Sequence, residues 1–237
     1  MSRFYAGNKL AYTDKFSLGS TAIEIAVGQG EETKAFVAHK NLLIHHSEFF
    51  KAALDGNWAE SKDRKVTLPE EFPEYFAMFV QFLYNGQIHS ARDGDSYTDA
   101  NGKTKDREWG TLAKAWAMGQ RLLSTTYCDA VVDALLAKIN EGQYFPTGLY
   151  SVAYKVGRGD SAMRKLLVDV PVWRWPDDVF KSNPLEAGSE GFRRDLAIAF
   201  SGFMCSARQG VDPLKDPGCR YHEHVAEKDK PCYKTMF

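Results

Sequence analysis

Every clear strand signal in this sequence falls within its first 70 residues. Residues 21–27, TAIEIAV, alternate in character and are rich in β-branched side chains, which is typical of a half-buried strand. The turn formers GQGEET separate this run from AFVAH, so the two runs predict a β-hairpin. KVTLP, residues 65–69, predicts one further short strand. The pattern therefore favours a small sheet near the start of the chain, with helices after it.

Helical periodicity dominates the rest of the sequence. Residues 40–55 repeat apolar positions at three- and four-residue spacing, which predicts one amphipathic helix. Pro73 opens a second helix, which ends at Asn85 and Gly86. The polar residues 89–108 have no apolar period and predict an exposed surface insertion. Further helices are predicted at about 109–123 and 127–139, and in three segments after Pro146.

The composition is typical of a globular protein, and the sequence as a whole predicts an intracellular location, in the cytoplasm or the nucleus. The 30 Lys and Arg residues balance 31 Asp and Glu residues, so no net positive field favours direct binding to nucleic acid. The sequence contains neither the apolar region of a signal peptide nor an apolar run that could span a bilayer. Its four cysteines are too scattered for a secreted disulfide framework, which predicts reduced thiols or metal ligands.

Several spaced motifs occur together in a fixed order. They are F-x-x-H-K-x-x-L-x-x-x-S-x-F-F at residues 36–50, W-A-E-S at 58–61, V-T-L-P-E at 66–70 and F-L-Y-N-G at 82–86. Together these motifs resemble the BTB/POZ domain, and the polar insertion and short N-terminus most resemble the BTB proteins of filamentous fungi. The resemblance implies an α+β fold, in which a small β-sheet is flanked by a helical cluster.

The same resemblance implies how the chain is divided. It predicts an N-terminal segment at residues 1–16 and a BTB/POZ domain at residues 17–142, with the polar insertion inside it. An all-helical C-terminal extension with a Cys/His-containing tail is predicted at residues 143–237.

Trp58 and Glu60 form part of a W-A-E step that resembles the hydrophobic-x-Glu step of family members that bind cullin scaffolds of ubiquitin ligases. An exposed aromatic anchor with a charged neighbour is also typical of an interface hot spot. The alternative is that Trp58 folds back on the helices of its own domain, as the corresponding aromatic does in relatives that bind no cullin.

Phe4, Tyr5 and Phe16 precede the first strand without a period of their own, so they need a surface to pack on. Family members commonly dimerise through this segment and the first helix, and the resemblance therefore implies a homodimer contact. The C-terminal helices of the same chain are the alternative surface.

The tail contains Cys219, His222, His224 and Cys232, spaced C-x2-H-x-H-x7-C. These residue types suit tetrahedral zinc, and a turn followed by an extended stretch would bring them to one side. The spacing matches no common zinc finger. A structural zinc ion and a tail that frays or packs on itself are both open.

Three histidines, His39, His45 and His46, lie within eight residues of one another. Their separation along a helix prevents one ion from bridging His39 and His46. We predict that the His39 ring satisfies backbone groups at the helix start, that His46 is partly buried and that His45 is solvated.

No catalytic residue is predicted, because the sequence contains no local signature of a catalytic set. The favoured function is a non-enzymatic protein–protein interaction module that self-associates and acts as an adaptor or scaffold, with a cullin-type ubiquitin ligase as the specific version. The alternative is a chromatin- or transcription-associated regulator with a zinc-stabilised tail.

Overall fold

The structure of the 237-residue chain is a computed structural model. It describes residues 17–55, 63–98, 104–141, 148–157, 159, 161–181, 189–205, 212–227 and 230–237. The predicted partner-binding residues Phe4, Tyr5, Phe16, Trp58 and Glu60 lie outside these ranges. Within the described ranges, no helix combines the length and apolarity needed to cross a membrane.

A three-stranded sheet lies at the start of the fold. Strands β1 (Ala22–Val27) and β2 (Lys34–His39) form the predicted hairpin, and β3 (Lys65–Leu68) pairs in parallel with the other side of β1. Alternate residues Ile23, Ile25 and Val27 of β1 are buried on the core face. Burial of each such side chain favours folding by about 1.5–3 kcal/mol, which fixes the register of the central strand.

The helix predicted over residues 40–55 is two helices, α1 (Lys40–His46) and α2 (Glu48–Asp55). The break occurs at Ser47, whose backbone is extended. Its side-chain oxygen accepts a hydrogen bond from the Phe50 amide (3.1 Å) and donates one to the Leu122 carbonyl (2.6 Å). Ser47 therefore acts as the N-cap of α2, a role that the apolar period alone could not reveal.

The helix predicted to begin at Pro73 is α3 (Pro73–Asn85). It starts with Pro73 and ends where Gly86 adopts a left-handed conformation, with φ of 70°. Phe76, Phe79 and Phe82 are fully buried along it and form the aromatic centre of the core.

The polar insertion contains a small antiparallel hairpin rather than an unstructured loop. Its strands are β4 (Ser96–Thr98) and β5 (Thr104–Asp106). Lys138, whose side chain is only 11% exposed, pairs with Asp106 (2.6 Å) and with Glu108. These ion pairs connect the hairpin to the helices beneath it. Because polar contacts hold the strands in place, the sequence shows no apolar alternation that would predict them.

The remaining helices form one continuous core with the sheet. They are α4 (Glu108–Arg121), α5 (Thr125–Glu141), α6 (Gly148–Val156), α7 (Ala162–Arg174), α8 (Asp177–Lys181) and α9 (Glu190–Cys205). Helix α6 packs on α4, and α9 packs on α7. The rings of Tyr150 in α6 and Phe192 in α9 stack with their centres 3.9 Å apart. The C-terminal helices therefore dock on the helices that follow the sheet.

Candidate metal centre

After α9 the chain returns across α5, and this return brings the predicted tail residues together. Residues 212–227 and 230–237 contain only two short 3-10 helices, Glu223–Ala226 and Tyr233–Thr235, and both contact α5. Tyr221 and Tyr233 are nonetheless buried, so the tail is packed on the core despite its polar sequence.

Four side chains of this tail converge. One potential ligand atom from each of Cys219, His222, His224 and Cys232 lies within 4.8 Å of the others. Usual zinc–sulfur and zinc–nitrogen bond lengths place tetrahedral ligands about 3.3–3.8 Å apart. The Cys232 Sγ and His222 Nδ1 atoms, 3.7 Å apart, already have this spacing. A contraction of at most about 1.5 Å elsewhere would complete a tetrahedral site.

Local backbone geometry explains the C-x2-H spacing. Gly218 has φ of 51° and opens a tight turn in which the His222 amide donates to the Cys219 carbonyl (3.1 Å). This turn brings the side chains of residues 219 and 222 near each other. The extended stretch expected after the turn is confined to His222, because the 3-10 helix begins at Glu223.

Two carboxylates on α5 orient the histidine rings. The His222 Nε2 atom lies 2.9 Å from the Asp133 carboxylate, and the His224 Nδ1 atom lies 2.6 Å from the Asp129 carboxylate. Each pair fixes a ring tautomer and leaves the opposite nitrogen available, Nδ1 of His222 and Nε2 of His224. Carboxylates behind ligating histidines are a recurrent feature of metal sites, where they orient the ring and raise its basicity.

Asp129 and Asp133 were not identified from the sequence. They lie four residues apart, and therefore on the same face, of a helix that is otherwise largely apolar. Two acidic residues at helical spacing within a buried helix need polar partners, and this signal could have been read from the sequence.

The Asp133 carboxylate collects further hydrogen bonds from the tail. It accepts from the Tyr233 hydroxyl (2.6 Å) and from Lys234 Nζ (2.8 Å). Burial alone would raise the pKa of Asp133, but the hydrogen bonds from His222, Lys234 and Tyr233 outweigh it and lower this pKa. Asp129 has fewer donors, and burial raises its pKa.

The tail also contacts the C-terminal helices. Arg220 and the Tyr221 hydroxyl both donate to the Asp169 carboxylate of α7, at 2.9 Å each. The Glu223 side chain accepts from the Ala162 amide at the start of α7 (3.1 Å). The residues around the cluster therefore join α5 to α7, and the cluster lies where these two parts of the fold meet.

The donor set determines what the cluster can do chemically. Two thiolates and two imidazoles suit zinc, and four protein ligands leave no open position for substrate. Sites of this closed type stabilise structure rather than perform catalysis. The cluster could thus hold a metal ion that orders the tail.

None of the histidines at positions 39, 45 and 46 belongs to this cluster. His46 is 5% exposed and hydrogen-bonds the Thr126 hydroxyl (3.0 Å), whereas His45 is exposed, as predicted. The role predicted for the His39 ring is wrong. Its Nδ1 atom bonds the Tyr84 hydroxyl (2.8 Å) instead of a backbone group at the start of α1.

The chain is similar to known proteins near its N-terminal end, away from the tail cluster. The sequence model of the BTB/POZ domain matches residues 20–101. A 59-residue stretch is 36% identical to a protein of Arabidopsis thaliana, the Armadillo BTB Arabidopsis protein 1. This match covers 25% of the present chain and 8% of the relative.

The matched residues contain the three-stranded sheet, helices α1 to α3 and the start of the insertion hairpin, in the order that the motifs predict. The chain therefore carries at residues 20–101 a BTB/POZ domain, which is a protein–protein interaction module.

Proposed function

We propose that the chain is a non-enzymatic adaptor that self-associates and presents a surface to a second protein, specifically a cullin-type scaffold of a ubiquitin ligase. The observation that carries this proposal is the BTB/POZ domain at residues 20–101.

Two features near α2 support a partner-binding surface there. Trp58 and Glu60 follow the end of α2 at Asp55 within a few residues. At the other end of α2, the Glu48 amide donates to the carbonyl of Leu123 (3.3 Å). Leu123 has φ of 50° and is 58% exposed. Leu123 therefore caps the C-terminus of α4 and leaves an apolar side chain exposed beside the start of α2, where a partner could cover it.

Co-purification with a cullin tests the adaptor function. Trp58→Ala should weaken recovery of the cullin at least about 30-fold, the effect of losing one hot-spot aromatic. Phe72→Ala is the matched control, because Phe72 is another exposed aromatic of the same domain. Equal recovery by both variants and the unchanged chain would refute the cullin proposal.

Self-association is proposed through the apolar N-terminal residues Phe4, Tyr5 and Phe16. Aromatic side chains without an apolar surface to cover them are unfavourable in water, and a second subunit would supply that surface. Replacing all three with alanine should convert a dimer to the 26.7 kDa monomer in light scattering, with the thermal midpoint as a check on folding. A variant that remains dimeric would exclude this contact.

We also propose that Cys219, His222, His224 and Cys232 hold a structural zinc ion. The convergence of the four ligand atoms, the closed donor set and the two orienting carboxylates support this assignment. The ion would add to the packing of Tyr221 and Tyr233 on the core, because ligand assembly and local folding are coupled.

Metal analysis of the purified chain tests the zinc site. About one zinc ion per chain is expected, and a strong chelator should lower the thermal midpoint by about 5–10 °C. His224→Gln should lose the zinc, whereas His45→Gln, a matched exposed histidine outside the cluster, should keep it. Equal zinc content in the two variants would refute the assignment.

A further inference from the structure

The two cysteines of the metal cluster differ in exposure as whole residues. Cys219 is exposed, whereas Cys232 is half-buried. Their sulfur atoms lie within the 4.8 Å that encloses the cluster. A disulfide requires about 2 Å between sulfurs, so one sulfur must move by less than about 3 Å. Cys219 lies in an exposed turn directly after Gly218, and a side chain added at Gly218 would meet no atom within 4 Å.

We propose that this cluster is an oxidation-sensitive latch, in which a peroxide converts Cys219 and Cys232 to a disulfide, expels the metal ion and loosens the tail from α5. This inference rests on the zinc site proposed above. Zinc holds both cysteines as thiolates, and the thiolate is the form that attacks peroxides.

The reaction balances with hydrogen peroxide as the oxidant. The Cys219 thiolate attacks one peroxide oxygen, which breaks the O–O bond and gives a sulfenic acid and hydroxide. The Cys232 thiolate then attacks the Cys219 sulfur, forms the S–S bond and displaces a second hydroxide. Two protons convert the hydroxides to water. The thiolates together lose two electrons, the peroxide gains them, and zinc leaves as Zn²⁺ without a change of oxidation state.

Loss of the ion acts on the contacts between the tail and α5. A disulfide removes two of the four ligands, and two imidazoles alone bind zinc weakly. The rings of His222 and His224 then lose their bonds to the ion, and only the carboxylates of Asp133 and Asp129 still hold them. Tyr233, whose ring contacts Phe82 (6.1 Å between centres), is in the same segment. Oxidation would therefore change the surface that the tail forms with α5 and α3.

The test adds hydrogen peroxide to the zinc-loaded full chain and follows zinc release with a colorimetric chelator. About one zinc ion per chain should be released. Peptide mapping should show a Cys219–Cys232 disulfide, about 2 Da lighter than the reduced pair. Cys128 is buried and serves as an internal control that should remain reduced. A thiol reductant with added zinc should restore binding.

Cys128→Ser is the matched variant, because it removes a thiol that lies outside the cluster. It should release its zinc and form the Cys219–Cys232 disulfide at the same peroxide dose as the unchanged chain. Retention of zinc by the oxidised unchanged chain, or release without a Cys219–Cys232 disulfide, would overturn the latch alone. A chain that binds no zinc at all would overturn both the latch and the zinc site.

Discussion

At the scale of single residues, the two aspartates of α5 make the tail cluster more than a chance grouping of cysteines and histidines. Asp133 and Asp129 each hold one histidine ring in a defined tautomer. Exposed Cys and His side chains without such partners would have to be ordered by the metal itself, at an entropic cost that reduces affinity.

Asp133→Asn should therefore weaken zinc binding about 10- to 100-fold, the usual effect of losing a carboxylate behind a ligating histidine. Competition with a chelator of known affinity measures this change. Glu141→Gln, at the exposed end of the same helix, is the control and should leave zinc affinity unchanged. Equal affinities of the two variants would show that Asp133 does not support the site.

His46 predicts a pH dependence of stability. Burial, with a smaller repulsion from His45, lowers its pKa to about 4, whereas the unfolded chain has a pKa of about 6.5. Between these values the unfolded chain binds a proton that the folded chain excludes. The stabilisation that depends on a neutral His46 ring is therefore fully present above pH 6.5 and is lost as the pH falls towards 4. The free energy of unfolding should fall by about 2–4 kcal/mol over this range.

Urea unfolding between pH 4 and 7 checks this expectation. His46→Gln should show a shallower loss of unfolding free energy than the unchanged chain over that window. Because both chains keep the same tail histidines, any loss of metal affects them alike. Parallel pH profiles would contradict the assignment of His46 as a buried neutral imidazole.

At the scale of elements, the sequence predicts the helices and strands whose boundaries and apolar spacing are set by residues within the segment itself. The β1–β2 hairpin and α3 were predicted because alternation, turn residues, Pro73 and Gly86 all lie within the segment itself. The break between α1 and α2 and the β4–β5 hairpin were missed. Ser47 and Lys138 create those features through contacts with residues 75 and 32 positions away, which no local period contains.

Ser47→Ala tests the break between α1 and α2. The change removes the cap of α2 and leaves the Leu122 carbonyl without its serine donor, so the free energy of unfolding should fall by about 1–3 kcal/mol. Chemical denaturation measures the loss, and Ser96→Ala on the exposed strand β4 is the control. A loss no larger than that of the control would mean that the cap contributes little.

At the scale of the whole molecule, the tail links the helices that follow the sheet to the C-terminal helices. His222 and His224 contact α5, whereas Tyr221 contacts α7 through Asp169. The sequence identified the four candidate ligands because their residue types are distinctive within a short segment. The helical spacing of Asp129 and Asp133 could have marked them as acids that need polar partners. The sequence could not show which residues those partners are, because more than 50 residues separate Asp129, Asp133 and Asp169 from their partners in the tail.

The proposed state of the whole molecule is a self-associated chain that carries a BTB/POZ domain at residues 20–101 and a tail ordered by zinc. Native mass spectrometry of the purified full chain, which keeps both subunits and metal ions bound, tests this proposal. The expected species has twice the 26.7 kDa chain mass plus about one zinc ion per chain. A species of 26.7 kDa without zinc would contradict the proposal.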